Sequence, residues 1–100
     1  MQENLPPVAL VVEEFEWDER NERHLAERGR LDPLSVEDVR GQAPKFYPNK
    51  EGMSGSHMMI GPDSNGEHWT VIILDKGLGR WRPITGWKSD KREIELYNSA

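Results

Sequence analysis

The stretch HWTVIIL, residues 68–74, constrains the fold more than any other part of the chain. In an extended strand Trp69, Val71 and Ile73 fall on one side, and Thr70, Ile72 and Leu74 on the other. Apolar residues on both sides need cover on both sides, which predicts a central strand of a sheet. Turn-forming segments bracket it, PDSNG at 62–66 and DKGLG at 75–79. Beyond them SHMMIG and RWRPITGW read as neighbouring strands, so antiparallel hairpins are predicted. Pro83 cannot donate a ladder hydrogen bond, which places it at an edge or a bulge. Trp81 and Trp87 share a strand face by the two-residue period.

The first half has a different rhythm. VALVVEEFEW, residues 8–17, carries the β-branched and aromatic residues of a strand, with Phe15 and Trp17 inward and Glu16 toward solvent or a strand arginine. Asp18 suits an N-cap, and Glu19 and Glu22 suit the positive end of a helix dipole. A helix is therefore predicted from Asp18 to Arg28, stopped by Gly29. Ser35 and Asp38 have a capping spacing, and Leu34, Val36 and Val39 line one side of a second helix ending near Gly41. KFYP, residues 45–48, is a candidate short strand. Ser89 is expected to cap a closing helix that runs to about Asn98. Residues 1–7 read as a loose leader, and 8–98 as a single α+β domain. Its sheet is mainly antiparallel, with an N-terminal helix pair and a C-terminal helix. The GSHM within MSGSHMMIG resembles a cloning scar, but its place inside a strand entry marks it as native.

Composition narrows the setting. One hundred residues fit one small core, and the absence of cysteine excludes disulfides and thiolate metal sites. The apolar runs are too short to span a bilayer, and MQENLPP lacks the features of a signal peptide. A cytoplasmic protein with no membrane association is expected. Charge is divided: residues 1–38 hold eleven acids and four bases, 39–79 four of each, and 80–100 three acids and five bases, which sums to the net −5. Such a split fits a solubilising surface, self-association into a homodimer, docking of a basic partner, or a local phosphate site. A pI near 5.2 argues against general nucleic-acid binding.

Two motifs together resemble a known family. Phe15-Glu16-Trp17-Asp18, Asn21 and Arg28-Gly29 are similar to the opening of BrnT-type toxins, with a longer first helix. Arg82, Ile84 and Thr85, then Arg92-Glu93 and Tyr97, resemble the family's last strand and closing helix. The resemblance runs over residues 13–97. It implies a RelE-like fold, ribonuclease activity without metal or cofactor, and an antitoxin partner carrying a ribbon-helix-helix DNA-binding part. Three positions depart from the pattern. Gly86 stands where the family has an alanine, Trp87 where it has an arginine, and Ser56 where it often has another arginine.

Cleavage of RNA needs a group to activate the ribose 2′-hydroxyl, positive charge on the phosphate and a proton for the leaving oxygen. The resemblance points to Arg82 and Arg92 as catalytic, holding the phosphate; His57 or His68, expected on neighbouring strands, is the candidate for a substitute proton carrier. Lys88, Lys91 and Trp87 are the RNA-binding candidates, by charge and by base stacking. Each has a plainer alternative: surface ion pairs for the arginines, a solvated helix start for the lysines, core filling for the tryptophans. Asn21 is expected to bond backbone or a neighbouring strand. The spacing of His24, His57 and His68 gives no metal motif. A catalytically inactive BrnT-like interaction module is the competing reading, supported by Trp87, Ser56 and the acidic total.

Overall fold

A computed structural model describes residues 6–49 and 56–99; the expected leader lies outside them for residues 1–5. The order is β1 (Glu14–Phe15), α1 (Glu19–Gly29), α2 (Pro33–Gly41), β2 (Lys45–Pro48), β3 (Ser56–Pro62), β4 (His68–Gly77), β5 (Arg80–Lys88) and α3 (Lys91–Asn98). The strands form one five-stranded sheet in the order β1-β5-β4-β3-β2. All pairings are antiparallel except β1 with β5. The α+β class and the central place of β4 are as the sequence predicts.

Register divides the side chains between two faces. His57, Met59, Val71, Ile73, Pro83 and Gly86 oppose one another across β3, β4 and β5 and share one face. The helix pair covers that face, where Phe15, Leu25, Leu31, Val36, Val39, Met59, Val71, Ile73 and Trp81 form the core. The other face carries Tyr47, Ile60, Thr70 and Ile72, all buried. There α3 packs over β2 and β3, with the Tyr47 hydroxyl donating to Leu96 O at 3.2 Å. Burying each large apolar side chain contributes about 1.5–3 kcal/mol, so covering both faces of β4 is a large part of what the layers provide.

Several local expectations are corrected. Residues 8–12 are not a sheet strand: only Glu14 and Phe15 join the ladder, while Val8 bridges Phe46 on β2 at the opposite edge. The intervening residues cross the helix-pair face, where Trp81 Nε1 donates to Val11 O at 2.9 Å. Leu10 and Val12 pack on the core from this crossing. Gly29 belongs to α1, and the left-handed cap is Arg30 (φ 57°). Asp32 caps α2 ahead of Ser35, with Pro33 in the first turn. Asp90, not Ser89, caps α3, in a capping box with Glu93. Ser89 is buried instead, 2.8 Å from Thr70 Oγ1.

The two tryptophans do not share a face. Ile72 pairs with Thr85 but Ile73 pairs with Pro83, so Ile84 is an extra residue in β5. This bulge reverses the side-chain parity. Trp81 enters the core at 4% exposure, while Trp87 stands on the α3 face at 37%. Pro83 is thus at a bulge, one of the two placements its missing N–H permits.

Candidate functional site

The N-terminal motif and β5 meet in one cluster of polar contacts. Asp18 caps α1 by accepting from the backbone of Arg20 (2.9 Å) and Asn21 (3.1 Å) through Oδ1. The same carboxylate takes Arg82 in bidentate fashion, Nη2 to Oδ1 at 3.0 Å and Nη1 to Oδ2 at 2.9 Å. Glu16 adds a contact to Arg82 Nη1 at 3.0 Å. The Arg82 bond and the Asn21 N–H hold the Asp18 carboxyl down at about 2, and Asp18 in turn raises the Arg82 guanidinium. Asn21, buried as the third helical residue, accepts from Asp18 N and donates to Glu16 O and Pro83 O at 2.9 and 3.0 Å. Its amide therefore joins the residue after β1 to α1 and β5, the structural role expected of it. Further along, Gly29 lies against Gly86, and a Cβ on Gly29 would fall inside the Gly86 carbonyl.

The sequence-predicted site residues divide between locations. His57 is on the helix-pair face, its ring edge-on to Trp81 with centroids 5.4 Å apart, and among the described residues its buried Nδ1 has no hydrogen-bond partner. Arg82, opposite Leu74 and held by Asp18 and Glu16, is on the other face at the β1 edge. The sheet stands between them, so they cannot address one phosphate. Arg92 is exposed in the first turn of α3, and neither it nor Lys91 makes an ion pair among the described residues. Lys88 shares the helix-pair face with Trp69 and pairs with Glu67 at 3.2 Å. Ser56 is buried and accepts from Asn49 Nδ2 at 3.1 Å.

What the structure does bring together is a corner formed by the end of β5, the start of β4 and α3. Trp87 Nε1 donates to both oxygens of Glu93, at 3.0 and 3.1 Å. Glu93 also accepts from Asp90 N, so one carboxylate fixes the indole and the helix start. Ser89 N donates to His68 O at 2.9 Å, which ties the strand end to His68. The His68 ring stands edge-on to Tyr97, with centroids 5.4 Å apart. On the opposite flank of Tyr97, Lys45 Nζ lies 4.7 Å from the ring centroid and donates to Tyr97 O at 2.6 Å. The result is an exposed ring, two cations without an ion pair among the described residues on a capped helix, and an imidazole beside a phenol. Such a corner can stack a base, attract a phosphate and exchange protons.

Sequence reasoning did not pair His68 with Tyr97, since nearly thirty residues separate them; the one hint was their shared side chemistry. It also missed Arg20 and His24, one turn apart on α1, which line a cleft with Asn21, Arg82 and Ile84. Their i, i+4 spacing was the available signal. Among the described residues no three His, Asp or Glu side chains are grouped to hold a metal ion, and no helix is long and apolar enough to cross a membrane. Compared with known proteins, the chain matches no family model, and the search of curated proteins found no significant relative.

Proposed function

We propose that this chain is a toxin-type, metal-independent ribonuclease of a toxin–antitoxin pair, on a BrnT-like frame of the RelE-like class, held in check by a ribbon-helix-helix antitoxin. Support for the frame comes from the two segments that carry the resemblance, which contact each other although they lie far apart in the chain, through residues of the pattern and through their neighbours Pro83 and Gly86. Asp18 holds Arg82, Asn21 holds the Pro83 carbonyl, and Gly29 seats on Gly86. Arg82, committed to two carboxylates, then belongs to the frame rather than to the substrate.

The observation that carries the functional reading is the exposed Lys91 and Arg92, which make no ion pair among the described residues, in the first turn of the helix whose Glu93 holds the exposed Trp87. Cations without counter-ions are available to a phosphate, and the fixed indole offers a stacking face. His68, whose backbone carbonyl accepts from Ser89 N at the same corner, would then be the group that moves a proton between the 2′-hydroxyl and the leaving 5′-oxygen. A mixed RNA pool incubated with the purified protein tests this. Fragmentation is expected, with a rate reduced about 10²-fold or more in Lys91→Ala, Arg92→Ala if these cations stabilise the transition state.

The second reading is a catalytically silent interaction module, favoured by the saturation of Arg82. Its acidic N-terminal half would dock a basic segment of the antitoxin. RNA that stays intact at high protein concentration overturns the enzymatic reading and leaves this one, whose readout is a stable antitoxin complex without cleavage.

A further inference from the structure

The cleft between the first two turns of α1 and the bulge of β5 is lined by Arg20, Asn21, His24, Arg82 and Ile84. Its walls are rigid for reasons already given: Asn21 is buried and bonded on three sides, and Arg82 is held by Asp18 and Glu16. Among the described residues the Arg82 contacts run through Nη1 and Nη2, and its Nε–H has no partner there. Arg20 and His24 are different. They are exposed, lie one turn apart on the same side of α1, and make no side-chain hydrogen bond or ion pair among the described residues. Nearby, Arg23 is already paired with Glu19, so Arg20 is the cleft's cation without a partner among the described residues, and His24 offers a ring N–H beside it.

Ile84, the extra residue of the bulge, supplies apolar surface to a cleft whose other lining residues are Arg20, Asn21, His24 and Arg82. The Asn21 oxygen is used by Asp18 N, so the free groups around the cleft are mainly N–H donors. Such a donor set selects an anion with several acceptor oxygens attached to something that can rest on Ile84. Size excludes a whole cofactor: the cleft holds about 160 Å³, below the roughly 300–1,000 Å³ of pockets that enclose complete small ligands. A phosphate with its sugar suits both the donors and the floor.

We propose that this cleft is a nucleotide-phosphate subsite, in which Arg20 and His24 hold the phosphate and Ile84 meets the ribose. It rests on the reading of the protein as acting on RNA, and adds a second contact point on α1, away from the corner at α3. Titrating ¹⁵N-labelled full-length protein with uridine 5′-monophosphate, and separately with inorganic phosphate, tests it. Amide shifts are expected at Arg20, Asn21, His24 and Ile84, with weaker binding of phosphate alone. Arg20→Ala, His24→Ala should weaken the nucleotide about tenfold or more, the effect of one lost charge-assisted hydrogen bond. Lys76→Ala, which removes a cation at the far hairpin, should leave it unchanged. Shifts that avoid these residues, or equal affinity in the double variant, overturn the subsite. Nucleotide binding here without RNA cleavage refutes only the ribonuclease reading; cleavage with the double variant's nucleotide affinity unchanged refutes only the subsite.

Discussion

The carboxylate of Asp18 is shared between the first turn of α1 and Arg82, and its acidity records both. The bond from Arg82, then the N–H of Asn21, hold it at about 2 against an unfolded value near 3.8. A depressed carboxyl stabilises the fold fully above its unfolded pKa and loses that contribution as pH falls through its folded pKa. Asp38 and Asp63 are also lowered, by Ser64 and Trp69 respectively. Thermal unfolding followed from neutral pH downward should therefore show stability declining from below about pH 5 toward pH 2. Asp18→Asn should flatten that decline, and more so at low salt, because Asp18 is half-exposed and its pair is screened. An unchanged slope in Asp18→Asn would show that the Arg82 pair does not differ between folded and unfolded chains. The capping role of Asp18 was legible in the sequence because capping is local. Its second role was not, since Arg82 lies 64 residues away.

At the scale of elements, the seat of α1 on β5 depends on two glycines. A Cβ on Gly86 would stand 2.8 Å from Leu31 Cδ1 and 3.0 Å from Thr70 O, and one on Gly29 would meet the Gly86 carbonyl itself. Backbone cannot yield as a side chain can, so Gly29→Ala should lift the helix and cost about 1–3 kcal/mol, the range for overpacking. Gly41, at the end of α2, has open space around it. Gly41→Ala should be neutral or stabilising by up to about 1 kcal/mol through helix propensity. Denaturant unfolding of the two variants checks the contrast; equal effects would mean that α1 is not held at this contact. Both the glycine and the helix were readable, yet Gly29 was read as a stop signal. Glycine serves close approach as well as left-handed turns, and only the partner strand decides between them. The same ambiguity explains the segment 8–12. β-Branched residues suit any half-buried extended chain, including one that crosses a sheet face rather than joining it. At Pro83 the bulge signal was present, but its consequence for Trp87 required counting one residue more than the pattern contains.

For the whole molecule, the question is how a chain of net charge −5 would hold RNA at all. The acids are concentrated in residues 1–38, and many of them are spent internally: Glu16 and Asp18 on Arg82, Glu37 on Arg40, Glu19 on Arg23. Arg20 on α1 and Lys91 and Arg92 on α3 are exposed and make no ion pair among the described residues. Attraction would then come from a few local cations set against a repelling background, not from a broad basic field. Each single-strand phosphate neutralised contributes about −0.7 to the slope of log affinity against log salt, so these three cations predict a slope near −2. Lys91→Ala, Arg92→Ala should reduce its magnitude by about 1.4, and Arg20→Ala by about 0.7. Fluorescence anisotropy with a short labelled single strand over a range of salt concentrations measures both. A slope near zero would mean that whatever association occurs is stacking on Trp87 without phosphate contact. A slope much steeper than −2 would mean that cations outside this set take part, for which Arg28 and Arg30 at the far end of α1, both exposed, are the first to replace.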